Sequence, residues 1–389
     1  MTITTPAGFV ASGHAAGIKP SGALDLALVA TEDGRPVPMA ATFTQNKAAA
    51  APVQVSRAHL AANGGMGSAV IVSSGNANAA TGTGGRADAA RMCDVVAGRL
   101  GCRLEEVLVC STGLIGYRLP MDVIEAGIPD LVATRGAGEE AAVRAATGIL
   151  TTDSGRKEAL YEGSGWTVAG MGKGAGMLAP DMATMLAILT TDAEVHHEAL
   201  ADLLRVAVRD TFNSMSVDGC TSTNDTVVLL ASGRAGPVDP VDVVDGVTEV
   251  CASLAGQMAA DAEGASKIAH VRVAGAASDG EAHRAARKVA ESLLVKCSFN
   301  GGDPYWGRVV SELGSAGVAF DMDRVAVSYG GVNVCRDGVA ADHDEEAVAA
   351  HMAGPVIDIR CELGLGDGTG VVTTVDLGHG YIDENRGTS

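Results

Sequence analysis

The stretch GKGAGMLAPDMATMLAILTTDAEV, residues 172 to 195, constrains the fold more than any other part of the chain. Glycines surround a single lysine, Pro180 follows, and Ala183-Thr184 enters an apolar run that closes on two threonines and an aspartate. Such a run reads as a buried strand, and the glycines before it give the backbone conformations closed to other residues. The fold must therefore set a permissive loop, with a hydroxyl residue at its end, at the mouth of a core strand.

Elsewhere strand and helix signals alternate without a clear linker. GSAVIVSSGNANAATG reads as strand, turn and helix start, and EEVLVCSTGLIG as an apolar strand running into a turn. Apolar residues at 3.6-residue spacing predict helices near 84–101, 138–149, 195–212, 240–262 and 279–296. Near the C-terminus, RVAVSYGGVNVC reads as a hairpin across Gly330-Gly331. VIDIRCELGLGDGTGVVTTVDLG reads as a second hairpin around residues 364–370. Mixed α+β layers follow. With aromatics at 3% and 51 glycines, the core has to be built from Ala, Val, Leu, Ile and Met.

A net charge of -19 argues against nucleic-acid or anionic-membrane partners, which need basic surfaces. No run of about 18 apolar residues occurs, and the first residues lack a signal-peptide pattern, so a cytoplasmic protein is expected. The 8 cysteines include no C-x-x-C pair and the 9 histidines are dispersed. No metal site is expected from them.

Glycine loops often cradle phosphates. GMGKGA at 170–175 fits a loose G-x-G-x-x-G/A pattern, yet Pro180 lies where the required helix would run. A Walker A loop fails because Gly174, not Ser or Thr, follows Lys173. A nucleophilic reading is left. A threonine made N-terminal by chain cleavage carries its own base, an α-amine of reference pKa about 7.7–8.0. From the residues alone, Thr184 reads more readily as an ordinary strand threonine bonding locally.

The order and spacing of many segments decide between the two. GFVASGHAAGIK (8–19), FTQNKAAAAPV (43–53), SGNANAATG (74–82), CSTGLIG (110–116), ILTTD (149–153), KGAGMLAPDMATML (173–186), STNDTVVLL (222–230), EGASK (263–267) and GGDPYWGRV (301–309) together resemble the ornithine acetyltransferase (glutamate N-acetyltransferase) family of self-cleaving arginine-biosynthesis enzymes.

The resemblance implies an α+β fold, a four-layer α-β-β-α sandwich of two mixed sheets. An α chain, 1–183, and a β chain, 184–389, would form it jointly after cleavage at Ala183-Thr184, as one interwoven body. It implies Thr184 as nucleophile and Thr112 with Gly113 as oxyanion hole. Thr151, Thr152, Lys173, Thr184, Glu263, Asn385, Thr388 and Ser389 would contact substrate. The implied reaction moves an acetyl group from N-acetylornithine to glutamate through a threonine acyl-enzyme, with no metal or bound cofactor. Acetyl-CoA is a second donor in the same relatives, and an α2β2 or larger oligomer is expected. A self-processing amidohydrolase or aminopeptidase of related fold is the alternative. Three departures stand out. Tyr305 and Ser73 occupy positions where the family usually shows asparagine. The tail YIDENRGTS is a residue short, which points to a shifted amino-acid preference.

Overall fold

The structure is a computed structural model that describes residues 2–177 and 185–387. The chain forms two compact units, one built from residues up to Asn213 together with Cys220–Met258, the other from Ser214–Gly219 and from Ala259 onward.

In chain order the strands are β1 (Phe9–His14), β2 (Leu26–Thr31), β3 (Val37–Phe43), β4 (Met66–Gly67), β5 (Ala69–Asn76), β6 (Val107–Leu114), β7 (Lys157–Glu162), β8 (Thr167–Lys173), β9 (Leu186–Glu194), β10 (Met215–Ser216), β11 (Thr226–Pro237), β12 (Ile268–Ala276), β13 (Ala326–Tyr329), β14 (Val332–Arg336), β15 (Val339–Ala340), β16 (Val356–Glu362) and β17 (Gly368–Val375). The helices are α1 (Ala51–Ala62), α2 (Gly82–Leu100), α3 (Met121–Ala133), α4 (Glu139–Gly148), α5 (His197–Asp210), α6 (Pro240–Ala260), α7 (Asp279–Glu291), α8 (Leu293–Gly301), α9 (Trp306–Gly314), α10 (Glu345–Ala353) and α11 (His379–Glu384).

The first unit holds two mixed sheets, of order β1-β2-β5-β6 and β4-β3-β11-β9-β8-β7. Their inner faces meet in a core that includes Phe9, Val29, Val72 and Leu108 from one sheet and Ile188 and Val228 from the other. On the outer face of the first sheet, Met92 and Val96 of α2 and Ile124 and Leu131 of α3 pack against Leu28 and Ile71. Helix α6 covers the second sheet closely: a Cβ at Gly170 would lie 2.8 Å from Val250, and one at Gly172 would lie 2.7 Å from Met258. These glycines belong to strand β8 and make room for a helix, which is why a phosphate-loop reading of GMGKGA fails physically as well as by pattern. The α-β-β-α layering expected from the resemblance is therefore present in this unit. Strands from before and after residue 183 share its second sheet, where β8 and β9 are antiparallel neighbours with Lys173 opposite Leu186.

The second unit is one sheet, β10-β17-β12-β16-β13-β14-β15. Helices α7, α8, α9 and α10 contribute Ala286, Val295, Val309 and Met352 to its core. The hairpin across Gly330-Gly331 forms as expected, with both glycines at positive φ and Tyr329 opposite Val332. The second expected hairpin does not. Strand β12 lies between β16 and β17, parallel to the first and antiparallel to the second. The glycine-rich connection arches over the end of β12, where the Leu363 amide donates to the Ala274 carbonyl and the Leu365 amide to the Gly275 carbonyl. The expected helix 279–296 is also broken. Ser292 has ψ 116, and its hydroxyl accepts from the Val295 amide as the N-cap of α8.

Candidate active site

Three of the residues expected from the sequence lie at strand ends of the first unit. Thr112 and Gly113 close β6, at a register shift in its pairing with β5. Gly113 has φ +127, and a Cβ there would come within 2.3 Å of the Gly75 carbonyl carbon, so only glycine fits. Lys173 closes β8 and is 2% exposed. Its ammonium donates to the Thr151 hydroxyl at 2.6 Å and to the Thr112 hydroxyl at 3.4 Å. Thr151 reaches Lys173, and Thr152 is exposed.

Burying this ammonium is costly unless it is paired, and the partner is a residue that the sequence reading did not single out. The Asp153 side chain is completely buried, 3.6 Å from the Lys173 ammonium and 2.7 Å from that of Lys157. It also accepts from the Gly174 amide at 2.7 Å and the Thr151 amide at 3.1 Å. Burial pushes the Asp153 pKa up, but Lys173, Lys157 and the Gly174 amide outweigh it and hold the carboxyl at about 2. Lys19 adds a cation nearby, donating to the Leu24 and Leu150 carbonyls at 2.7 Å each. The result is a fixed positive centre beside the Thr112 hydroxyl, suited to a substrate carboxylate or a developing oxyanion.

A second residue missed by sequence reading is Asn224. Its side-chain amide donates to the carbonyls of Ala77 and Ser111 at 2.6 and 2.9 Å, fastening the segment before β11 to the strand end that carries Thr112. Beside it, the hydroxyl of Ser73, one of the departures from the family pattern, donates to the Ser111 hydroxyl at 2.9 Å. Both Asn224 and Asp153 sit inside motifs visible in the sequence, STNDTVVLL and ILTTD, but nothing in a linear string says which polar side chain is buried.

In the second unit the expected pair Glu263 and Asn385 is brought together, the Asn385 amide donating to the Glu263 carboxylate at 3.0 Å. The loop bearing Glu263 is tied down by Asp376, which accepts from the Ser266 and Lys267 amides at 2.7 and 2.9 Å. Gly264, at φ +63, lies so close to α11 that a Cβ would sit 2.0 Å from the Tyr381 nitrogen. Tyr305 is 56% exposed, and the Arg308 guanidinium lies 5.7 Å from its ring centroid. Ala183, Thr184, Thr388 and Ser389 lie outside the described residues. Among the described residues, no group of three or more His, Cys, Asp or Glu side chains is placed to hold a metal, and no helix is long and apolar enough to cross a membrane.

A family model, the ArgJ family, matches residues 10–387. The arginine biosynthesis bifunctional protein ArgJ of Mycolicibacterium paratuberculosis is 49% identical over 395 residues, spanning 100% of this chain and 96% of its own. The protein of the same name from Thermobifida fusca is 43% identical, with 100% of both chains covered. Among solved structures, ornithine acetyltransferase of Mycobacterium tuberculosis complexed with ornithine is 46% identical over 46% of this chain and 94% of that chain, with a TM-score of 0.44.

Proposed function

The chain belongs to the ArgJ family, and from that premise we propose that it is an acetyltransferase of arginine biosynthesis, carrying acetyl from N-acetylornithine to glutamate. The observation that carries this reading is the buried Lys173 ammonium, held by Asp153 and reaching the hydroxyls of both Thr151 and Thr112. It supplies a cation for an N-acylated amino acid's carboxylate next to a residue suited to stabilise acyl-transfer chemistry.

Cleavage comes first in this proposal. The Thr184 hydroxyl attacks the Ala183 carbonyl, the peptide nitrogen leaves as the Thr184 amine, and water hydrolyses the resulting ester to free the hydroxyl. In turnover the Thr184 amine takes the proton of that hydroxyl as the oxygen attacks the acetyl carbonyl of N-acetylornithine. Thr112 and Gly113 hold the oxyanion, a contact worth about a hundredfold to a thousandfold per donor. Ornithine leaves with the proton. The glutamate amine then attacks the threonine ester, giving N-acetylglutamate and the free hydroxyl. Glu263, with Asn385 on its carboxylate, is the proposed acid for ornithine's ammonium, and Thr388 and Ser389 are proposed substrate contacts. The proposed enzyme is cytoplasmic and an oligomer of α/β pairs.

A denaturing gel tests the premise: the purified protein should run as two fragments, the second beginning TMLAILTTD, while Thr184→Ala stays whole. An uncut wild-type chain would overturn it. Product analysis separates transfer from hydrolysis, since the transferase forms one N-acetylglutamate per N-acetylornithine consumed and needs glutamate, whereas an amidohydrolase releases acetate without it. A coupled assay with acetyl-CoA and glutamate tests the second donor.

A further inference from the structure

Asp225 is a fully buried carboxyl with only half its hydrogen bonding satisfied. It is 0% exposed; Oδ1 accepts from the Met185 amide at 3.0 Å, and among the described residues none meets Oδ2 in hydrogen-bonding geometry, although the Thr44 and Ser222 side chains lie beside the carboxyl. An unsatisfied buried oxygen is costly. The two strands it spans do not need it for register, because Thr226 already lies opposite Leu186 and its amide donates to the Met185 carbonyl. What the carboxyl adds is a hold on one amide, that of Met185, the residue bonded to Thr184.

The platform under Asp225 is rigid. Its carbonyl accepts from the Thr44 amide at 3.0 Å, the Thr44 hydroxyl donates to the Ser222 carbonyl at 2.7 Å, and neighbouring Asn224 is clamped to Ala77 and Ser111. One short segment, Ser222 to Thr226, thus grips both the strand that carries Thr112 and the first amide of the strand that follows Thr184.

We propose that Asp225 is a positioning residue for the self-cleavage, holding the amide of Met185, the residue that follows Thr184 in the chain. This rests on the proposed self-cleavage. Burial drives the Asp225 carboxyl well above the usual range, against the Met185 amide, Lys173 and the Thr44 and Ser222 side chains. A misplacement of about 1 Å can cost a hundredfold in rate, so loss of the acceptor should slow scission far more than it weakens the fold.

The test follows scission of the full chain after cell-free synthesis, on denaturing gels over time, with thermal melting of each variant. Asp225→Asn keeps an acceptor of the same shape and should cleave within a few fold of wild type. Asp225→Ala should melt cooperatively yet cleave about a hundredfold more slowly. If the alanine chain does not fold, Asp225→Glu replaces it: the same group is pushed outward by one methylene and should also cleave slowly. Wild-type rates for the alanine or glutamate chain, or an asparagine chain as slow as alanine, would overturn the proposal. An uncut wild-type chain in the same gel would instead overturn the self-cleavage reading.

Discussion

The two units bury their sheets differently. In the first, strands such as β2, LALVAT, and β9, LAILTTDAE, are buried along essentially their whole length, because helices or a second sheet cover both faces. In the second, β16 alternates, with Ile357, Ile359 and Cys361 in the core and Val356, Asp358 and Arg360 exposed. The difference decides where expensive chemistry can be kept. A sheet covered on both faces can hold Lys173, Lys157 and Asp153 almost out of water, where charge is strong and fixed, whereas Glu263 and Asn385 meet in an exposed hydrogen bond.

The sharpest way to break that contrast is to remove the buried anion. Asp153→Ala leaves two buried ammonium groups without it and should cost about 3–5 kcal/mol in urea unfolding. A cost below about 1 kcal/mol would mean that the cluster behaves like a surface pair. Next, Gly113→Ala, which forces a Cβ against Gly75, should lower the acetyl-transfer rate about a hundredfold, as loss of one oxyanion donor does.

The pH dependence has two opposite signs within the first unit. Asp153, held at about 2, contributes stability that is complete above the unfolded carboxyl range near pH 4 and is lost as pH falls toward 2. Its acid unfolding should therefore begin earlier than that of Asp153→Asn relative to each protein's neutral stability. Asp225, with its pKa raised, contributes most below about pH 4 and loses that contribution as pH rises through its folded value. The stability of Asp225→Asn relative to wild type should accordingly grow with pH in paired thermal melts.

Effects in the second unit should be smaller. Gly264→Ala pushes on the Tyr381 backbone and should displace the start of α11, raising KM for N-acetylornithine about tenfold, a loss of about 1.4 kcal/mol, with kcat little changed. Asn385→Ala removes one exposed hydrogen bond, worth about 0.5–1.5 kcal/mol, and should change KM a few fold without moving the melting temperature.

Four of the five predicted helices were placed: α2, α4, α5 and α6 fall within two residues of the spans that the 3.6-residue period predicts. Helices α1 and α3, like the shorter α9, α10 and α11, were not read. The first opens on Ala51-Pro52 and the second contains Gly127 and Pro129, which blur the period. The expected hairpin at 364–370 failed for a different reason. A glycine-rich turn fixes where the chain bends, but whether the flanking strands pair depends on a third strand, β12, about a hundred residues away in the chain. In the site, motif residues such as Thr112, Gly113 and Lys173 were found by resemblance, while Asp153 and Asp225 were not, though each sits inside a quoted motif.

By itself the sequence determined the family, the glycine-loop and threonine motif, and the alternation of layers, because these are written in local order, spacing and hydrophobic period. Only the tertiary structure decided that Thr151 meets Lys173, that Asp153 is its buried counter-ion and that Asp225 holds the Met185 amide. Those are matters of burial and of approach between distant strands. The cost of desolvating a charge, and so the need for its partner, exists only once the sheets have closed over it.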